Sequence, residues 1–213
     1  MNNSFRNSAR LAWAALRALL VLTVVTGVIY PLAVWGVGQA AFNNKANGSQ
    51  VKVDGRVVGS SLLGQNFNLP KKNPNDPKET AQPDPRWFQP RPSAAGTDGY
   101  DTTASGASNL GPTNPQLVQT VNDRRKQVAE FNGVSPSAVP VDAVTASGSG
   151  LDPDISPEYA KIQVNRVAKA RHLDPAKVAQ LVADHTDGRQ LGFLGNPTVN
   201  VLELNIALRQ LAG

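Results

Sequence analysis

An α+β fold behind a single membrane-spanning helix is what this sequence predicts, and three observations carry it. Residues 18–42 form an unbroken uncharged run. An Asp54-Gly55 pair sits between two β-branched runs. In the C-terminal half, a capping residue followed by proline recurs ahead of helical patterns. The expected organisation is a cytoplasmic N-terminus (1–17), a transmembrane helix (18–42) and an extracytoplasmic domain (43–213). That domain should hold a small early sheet, several short helices and a Pro-rich excursion at 70–85.

The first element rests on length and charge. The 25 residues from Ala18 to Phe42 lack any charge, and as a helix they reach roughly 37 Å, enough to cross a hydrocarbon core of about 30 Å. Arg6, Arg10 and Arg17 precede the run, so the N-terminus is expected in the cytoplasm and the remainder outside. Trp13 and Trp35 suit the two interfaces. A cleaved signal peptide is the rival reading, with Gly38-Gln39-Ala40 small at both ends. The run is longer than an ordinary signal h-region, which favours a retained anchor. Thr23, Thr26, Gly27, Tyr30 and Val34 share one face at helical spacing. Small and polar groups there let a partner helix approach; the alternative is a lone anchor whose threonines bond back to their own helix. Pro31 is expected to kink the segment.

Beyond a polar linker at 43–50, Asp54-Gly55 suits a type I′ turn between Gln50-Val-Lys-Val and Arg-Val-Val. Residues 70–85 contain five prolines and no β-branched or aromatic apolar residue, as expected of a surface excursion. Helices are then expected after Asn114-Pro115, Ser156-Pro157 and Asp174-Pro175, the last stopping at Gly188. Asn200 and Glu203 resemble a capping box for a final helix. On the first of these helices Leu117, Val121 and Val128 share a face, with Arg124, Arg125 and Lys126 largely outside it.

Composition narrows the chemistry. The net charge is +5, but the three N-terminal arginines account for most of it; residues 18–213 carry 18 basic and 16 acidic groups. No basic stripe interleaved with aromatics invites nucleic acid. The absence of cysteine rules out disulfides, thiolate metal sites and cysteine catalysis. His172 and His185 lie near predicted helix ends, where a cation complements the helix dipole. Asp184-His185-Thr186 lacks a G-x-S-x-G nucleophile elbow. Asp152 and Asp154 lack the spaced carboxylates of a calcium loop and read as a turn with a helix cap. Ser60-Ser61-Leu62-Leu63-Gly64-Gln65 and Thr145-Ala-Ser-Gly-Ser-Gly150 are glycine-bearing loops without the P-loop lysine layout. Three further loops look built to bind: the stretch around Trp87, Phe88 and Arg91, the polar 105–115 loop with Asn109, and the apolar 191–197 loop with Phe193.

A longer series of stretches is more specific. It comprises Gly59-Ser-Ser-Leu-Leu-Gly-Gln65-Asn-Phe67, Arg91-Pro-Ser-Ala-Ala95, Tyr100-Asp101 and Ser105-Gly-Ala-Ser-Asn-Leu-Gly-Pro-Thr-Asn-Pro115. It continues through Val139-Pro-Val-Asp142, Val144 to Pro153, Gln163 to Ala168, His185-Thr186, Leu191 to Gly195 and Val199 to Asn205. In this order, behind one anchor, the sequence resembles the C subunit of the Kdp potassium-transporting ATPase. One departure is Gln89-Pro90, where the family usually has an aromatic or His followed by Gly or Ser.

The resemblance implies an accessory, non-catalytic subunit of an ATP-driven potassium uptake complex in a bacterial inner membrane. It implies as partners a KdpA-like pore subunit, a KdpB-like P-type ATPase subunit and a small KdpF-like subunit. It implies no cofactor of the chain's own, with ATP, Mg and K⁺ handled by those partners. Two roles go with the family: assembly with capping of the outer pore mouth, and a catalytic-chaperone role raising ATP affinity. The second attributes nucleotide contact to Gln65, beside Gly64 and Ser61, although the predicted topology keeps these from cytoplasmic ATP. Thr23, Thr26, Gly27, Tyr30, Trp87, Phe88, Arg91, Asn109 and Phe193 are the expected partner-facing residues. The alternatives are a membrane-anchored exported hydrolase using Ser and His185, or an envelope binding module.

Overall fold

A computed structural model describes residues 2–73, 76 and 79–211, and the chain divides into two units, one ending at Ser49 and one beginning at Gln50. The first unit is helical. Helix α1 (Asn2–Val24) runs through a π-helical turn (Val25–Ile29) into α2 (Tyr30–Ala41). Residues Phe5–Ala41 form one helix long and apolar enough to cross a membrane. Proline 31 has no N–H to return to the preceding turn, and the turn just before it is widened, with the Tyr30 amide bonded to Val25 O. Where a kink was expected, the structure shows a π-turn.

That turn alters the predicted face. One inserted residue rotates everything beyond it by about 100° relative to a continuous α-helix. Tyr30 and Val34 thus leave the Thr23 face, and Pro31 and Trp35 rotate towards it. The polar linker also differs from expectation. Asn43–Ala46 is a short helix, α3, and Gln39 Oε1 accepts from Asn43 Nδ2 at 3.0 Å and Asn47 Nδ2 at 3.1 Å. Neighbouring side-chain amides satisfy one another here, which gives a polar segment reason to stay wound.

The second unit is α+β, as the sequence predicts. Strands β1 (Gln50–Val53) and β2 (Arg56–Ser60) form an antiparallel hairpin. Its corner has φ of 52° at Asp54 and 77° at Gly55, the two positive values a type I′ turn requires. This early sheet is only the hairpin. A second, three-stranded antiparallel sheet, ordered β3-β5-β4, comes from β3 (Asp154–Ile155), β4 (Thr186–Asp187) and β5 (Thr198–Asn200).

The helices begin where capping chemistry dictates. α4 (Pro115–Asn132) starts behind Asn114, whose side chain accepts from the Gln116 amide, and stops at left-handed Gly133. α5 (Pro157–Arg171) is capped by Ser156 through the Tyr159 amide and closes at His172, φ 57°. α6 (Pro175–Asp184) is capped by Asp174 and ends earlier than Gly188, because residues 186–187 are taken into β4. α7 (Val201–Leu211) begins after Asn200, which accepts from the Glu203 amide at 3.2 Å. The core gathers Val164, Val167 and Ala168 of α5, Val178 and Val182 of α6, Leu204 and Leu208 of α7, and Val199 of β5.

Phe88 joins that core at 0% exposure although it lies in no helix or strand. The excursion before it is pinned at its base: Leu69 N–H bonds to Gln82 O at 2.8 Å and Asp84 N–H to Phe67 O at 3.1 Å. Asp84 is buried, so the excursion's end enters the interior instead of remaining on the surface. Its residues 74, 75, 77 and 78 lie outside the described ones.

Candidate functional site

Residues 88–92 belong to no helix or strand although Phe88 and Gln89 are buried, and buried backbone polar groups demand partners. Side-chain amides take that place. Phe88 N–H donates to Asn205 Oδ1 and Phe88 O accepts from Asn205 Nδ2, both at 2.9 Å. One residue on, Gln89 N–H donates to Gln163 Oε1 at 2.7 Å and Gln89 O accepts from Gln163 Nε2 at 3.1 Å. The Gln89 side chain donates to Phe67 O and Asp84 O, which gives the departure from the family pattern a structural use.

Arg166 completes this layer. It donates to Asn132, Gln163 and the carbonyls of Pro85 and Trp87, and lies 4.3 Å from the Phe131 ring centroid. Burial pushes its guanidinium down to about 10. Its partners are neutral, so the charge is held by dipoles and the aromatic face. Trp87 sits at the rim, half-buried, with the Arg171 guanidinium 3.9 Å from its ring centroid and Phe67 tilted against it at 6.1 Å.

From this layer the segment leads to a junction where four of the singled-out stretches meet. Arg91 pairs with Asp152 at 2.8 Å. Ser93 Oγ donates to Gly150 O at 2.6 Å and accepts from the amides of Ala95 and Tyr100. Tyr100 Oη donates to Arg91 O at 2.9 Å, and burial holds the phenol well above its ordinary range. Gly64 N–H donates to Leu151 O at 2.9 Å. A Cβ on Gly64 would strike the Tyr100 ring and come within 2.6 Å of the Asp152 carbonyl. The glycine is therefore needed for close packing of loops.

Beside the junction, an open cavity of about 330 Å³ lies between the 89–100 segment and α4, lined among others by Arg91, Asp98, Tyr100 and Arg124. Arg124 was expected largely outside the apolar face of its helix; it is half-buried and donates to Val144 O at 3.3 Å.

The expected site residues are distributed as follows. Gly64 is buried, while Ser61 and Gln65 are half-buried, and Ser61 O accepts from Asn200 Nδ2 at 2.9 Å. Thr26 Oγ1 donates to Leu22 O at 2.7 Å, the back-bond that was one of the two readings. Thr23, Gly27 and Tyr30 are exposed, and nothing lies within 4 Å of a Cβ placed on Gly27. Asn109 is exposed in the left-handed region, φ 53°. Phe88 has no surface to offer a partner; it anchors the segment that carries Trp87 and Arg91. Asp152 accepts from the Asp154 amide and binds Arg91, a turn and an ion pair. His185 Nδ1 lies 2.9 Å from Leu181 O, and Asp184 accepts from Gln180.

The 191–197 loop is the most outward-facing apolar element of this unit. Gln190 and Leu194 exchange both backbone hydrogen bonds at 2.9 Å, and Leu191, Gly192 and Gly195 have positive φ. The tip holds Leu191 at 82% and Phe193 at 69% exposure. Sequence reasoning found this loop by its apolar character. It held Gln163, Arg166 and Asn205 within the family stretches but not their role, which depends on partners far away in sequence.

Comparison with known proteins agrees with this arrangement of motifs. The family model described as "KdpC: K+-transporting ATPase, c chain" matches residues 12–210. A potassium-transporting ATPase KdpC subunit of Streptomyces avermitilis is 57% identical, over 99% of this chain and 98% of that protein. The corresponding subunit of Kineococcus radiotolerans is 54% identical over the whole of both chains. That of Mycobacterium tuberculosis is 50% identical over 92% of this chain and 96% of its own. With one long apolar helix, an α+β domain and a match across nearly its entire length, the chain belongs to the KdpC family of K⁺-transporting ATPase c chains.

Proposed function

We propose that this chain is a non-catalytic subunit that holds the pore and P-type ATPase subunits together and caps the outer mouth of the pore. The observation that carries the reading is the 190–195 hairpin tip. Large apolar side chains at Leu191 and Phe193 stand in solvent on a backbone with three positive φ angles. A non-glycine residue there is strained, and exposed aromatics on a formed turn suit burial against another protein. The anchor contributes a second contact through Thr23 and Gly27, where a neighbouring helix can approach without obstruction.

In this reading the anchor crosses the bacterial inner membrane once, N-terminus inside, and the domain stays outside. The partners are KdpA-like, KdpB-like and KdpF-like subunits. ATP, Mg and K⁺ are handled by them, and any effect on ATP affinity is transmitted through subunit contact. Gly64 is committed to packing and its amide to Leu151, which disfavours a phosphate cradle at 61–65.

The test is copurification in mild detergent, with K⁺-dependent ATPase activity as readout. Phe193→Asp and Gly27→Leu should each reduce recovery of the complex while the isolated chain melts as the parent does. Undiminished recovery with both variants would reject the docking surfaces. Labelling of a cysteine placed at Gln65 from outside intact cells tests the topology; labelling from the inside alone would reverse it.

A further inference from the structure

Two arginines line the cavity between the 89–100 segment and α4, and their charges are unequally answered. Arg91 is neutralised by Asp152 at 2.8 Å, yet its Nε is buried with no hydrogen-bond partner. Arg124 has a weak bond to Val144 O at 3.3 Å and, among the described residues, no salt bridge. A guanidinium has five donors, so most of those on Arg124 remain available. Burial lowers its affinity for the proton, and no carboxylate offsets the effect. Among the described residues lining the cavity, Asp98 is the one carboxylate, and Lys71 holds it at 2.7 Å. Val128 and Phe131 supply apolar wall, where a charged hydrogen bond is stronger than in water.

We infer that this cavity is a receptor for a carboxylate, bound by the Arg124 guanidinium. The charge count selects the class. One cation is unanswered, so a single carboxylate balances the site, whereas a phosphate dianion would leave it negative. A flat two-oxygen group also matches the guanidinium fork. About 330 Å³ accommodates a small organic acid or an Asp or Glu side chain brought by another subunit, and the chemistry is the same for both.

The experiment has two arms. In the first, the full chain in detergent is titrated with acetate, and with chloride at matched ionic strength, while the arginine Nε–H and glutamine side-chain amide signals are followed by NMR. A saturating acetate response at Arg124 and at the Gln127 side-chain amide, absent with chloride and lost from Gln127 in Arg124→Gln, supports the site with a free acid as occupant. In the second arm, Arg124→Gln is carried into the copurified complex. Weakening of subunit retention by about tenfold, the scale of one lost charge-assisted pair, supports a partner's side chain as occupant.

Gln127→Glu guards against a merely unfolded variant. Residue 127 lines the cavity one helical turn from Arg124. A carboxylate there should occupy the arginine, raise the melting temperature and abolish the same responses. No acetate response together with unchanged retention would overturn the inference. The first arm uses no partner, so its outcome is separable from that of the docking reading.

Discussion

Removing the Asn205 amide should unfasten the segment that links the core to the four-loop junction. Asn205 is 1% exposed and Phe88 0%, and two 2.9 Å bonds join them. Asn205→Ala leaves one buried N–H and one buried C=O of Phe88 without partners, each costing about 1–3 kcal/mol. The total is about 2–6 kcal/mol, and for a domain of this size each kcal/mol moves the melting point by about 2–4 °C. A fall of roughly 4–24 °C is expected, read by near-UV circular dichroism of the full chain in detergent. Gln163→Ala should match or exceed it, since it frees both backbone groups of Gln89 and a donor of Arg166. The double variant should fall short of the sum, because both amides hold one segment. Gln119→Ala, on an exposed position of α4, is the neutral control. A loss below about 2 °C for Asn205→Ala would show that the amide ladder is not what holds residues 87–92.

Three further outcomes follow from the same geometry. Gly64→Ala forces a methyl into the Tyr100 ring and the Asp152 carbonyl and should cost about 1–3 kcal/mol, seen as a lower melting point without any nucleotide present. Asp154 is held above the ordinary carboxylate range by burial, then by Asp152. Its ionised form therefore opposes folding, and Asp154→Asn should raise the melting point at neutral pH, with the gain fading as pH falls through that raised range and gone below about 4. Asp84 is the converse: the Arg86 side chain holds its carboxyl below the ordinary range. Asp84→Asn should destabilise at neutral pH, and its deficit should shrink as acid protonates the parent's carboxylate, below about pH 4.

What could be read beforehand was local. Asp54-Gly55, Asn114, Ser156, Asp174 and Asn200 each specify their own turn or cap through bonds spanning two or three residues. Strands of two or three residues carry no periodic signal, so β3, β4 and β5 were invisible. The Phe88–Asn205 bonds bridge 117 positions, and nothing near either residue announces the other. On the membrane helix, spacing rules assume an unbroken α-helical period, and the π-turn before Pro31 breaks it. Arg124 was assigned outward from its helical phase, although its long side chain still reaches Val144 O. In the candidate site the apolar loop was legible by composition. The cavity was not, because its walls come from segments far apart in sequence, from Asn66 to Tyr159.

The motif stretches divide by what their side chains do. Gly64, Ser93, Tyr100, Gly150 and Asp152 spend their polar groups or their lack of a side chain on one another, so they fix where the loops stand. Leu191 and Phe193 leave most of their side chains in solvent. The remaining Arg124 donors and the open flank of Gly27 are likewise left over. A change in the first group should lower stability before it lowers complex formation. A change in the second should do the reverse. Measured together on one set of variants, the two readouts separate architecture from contact, and a first-group variant that weakened the complex without melting earlier would break the division.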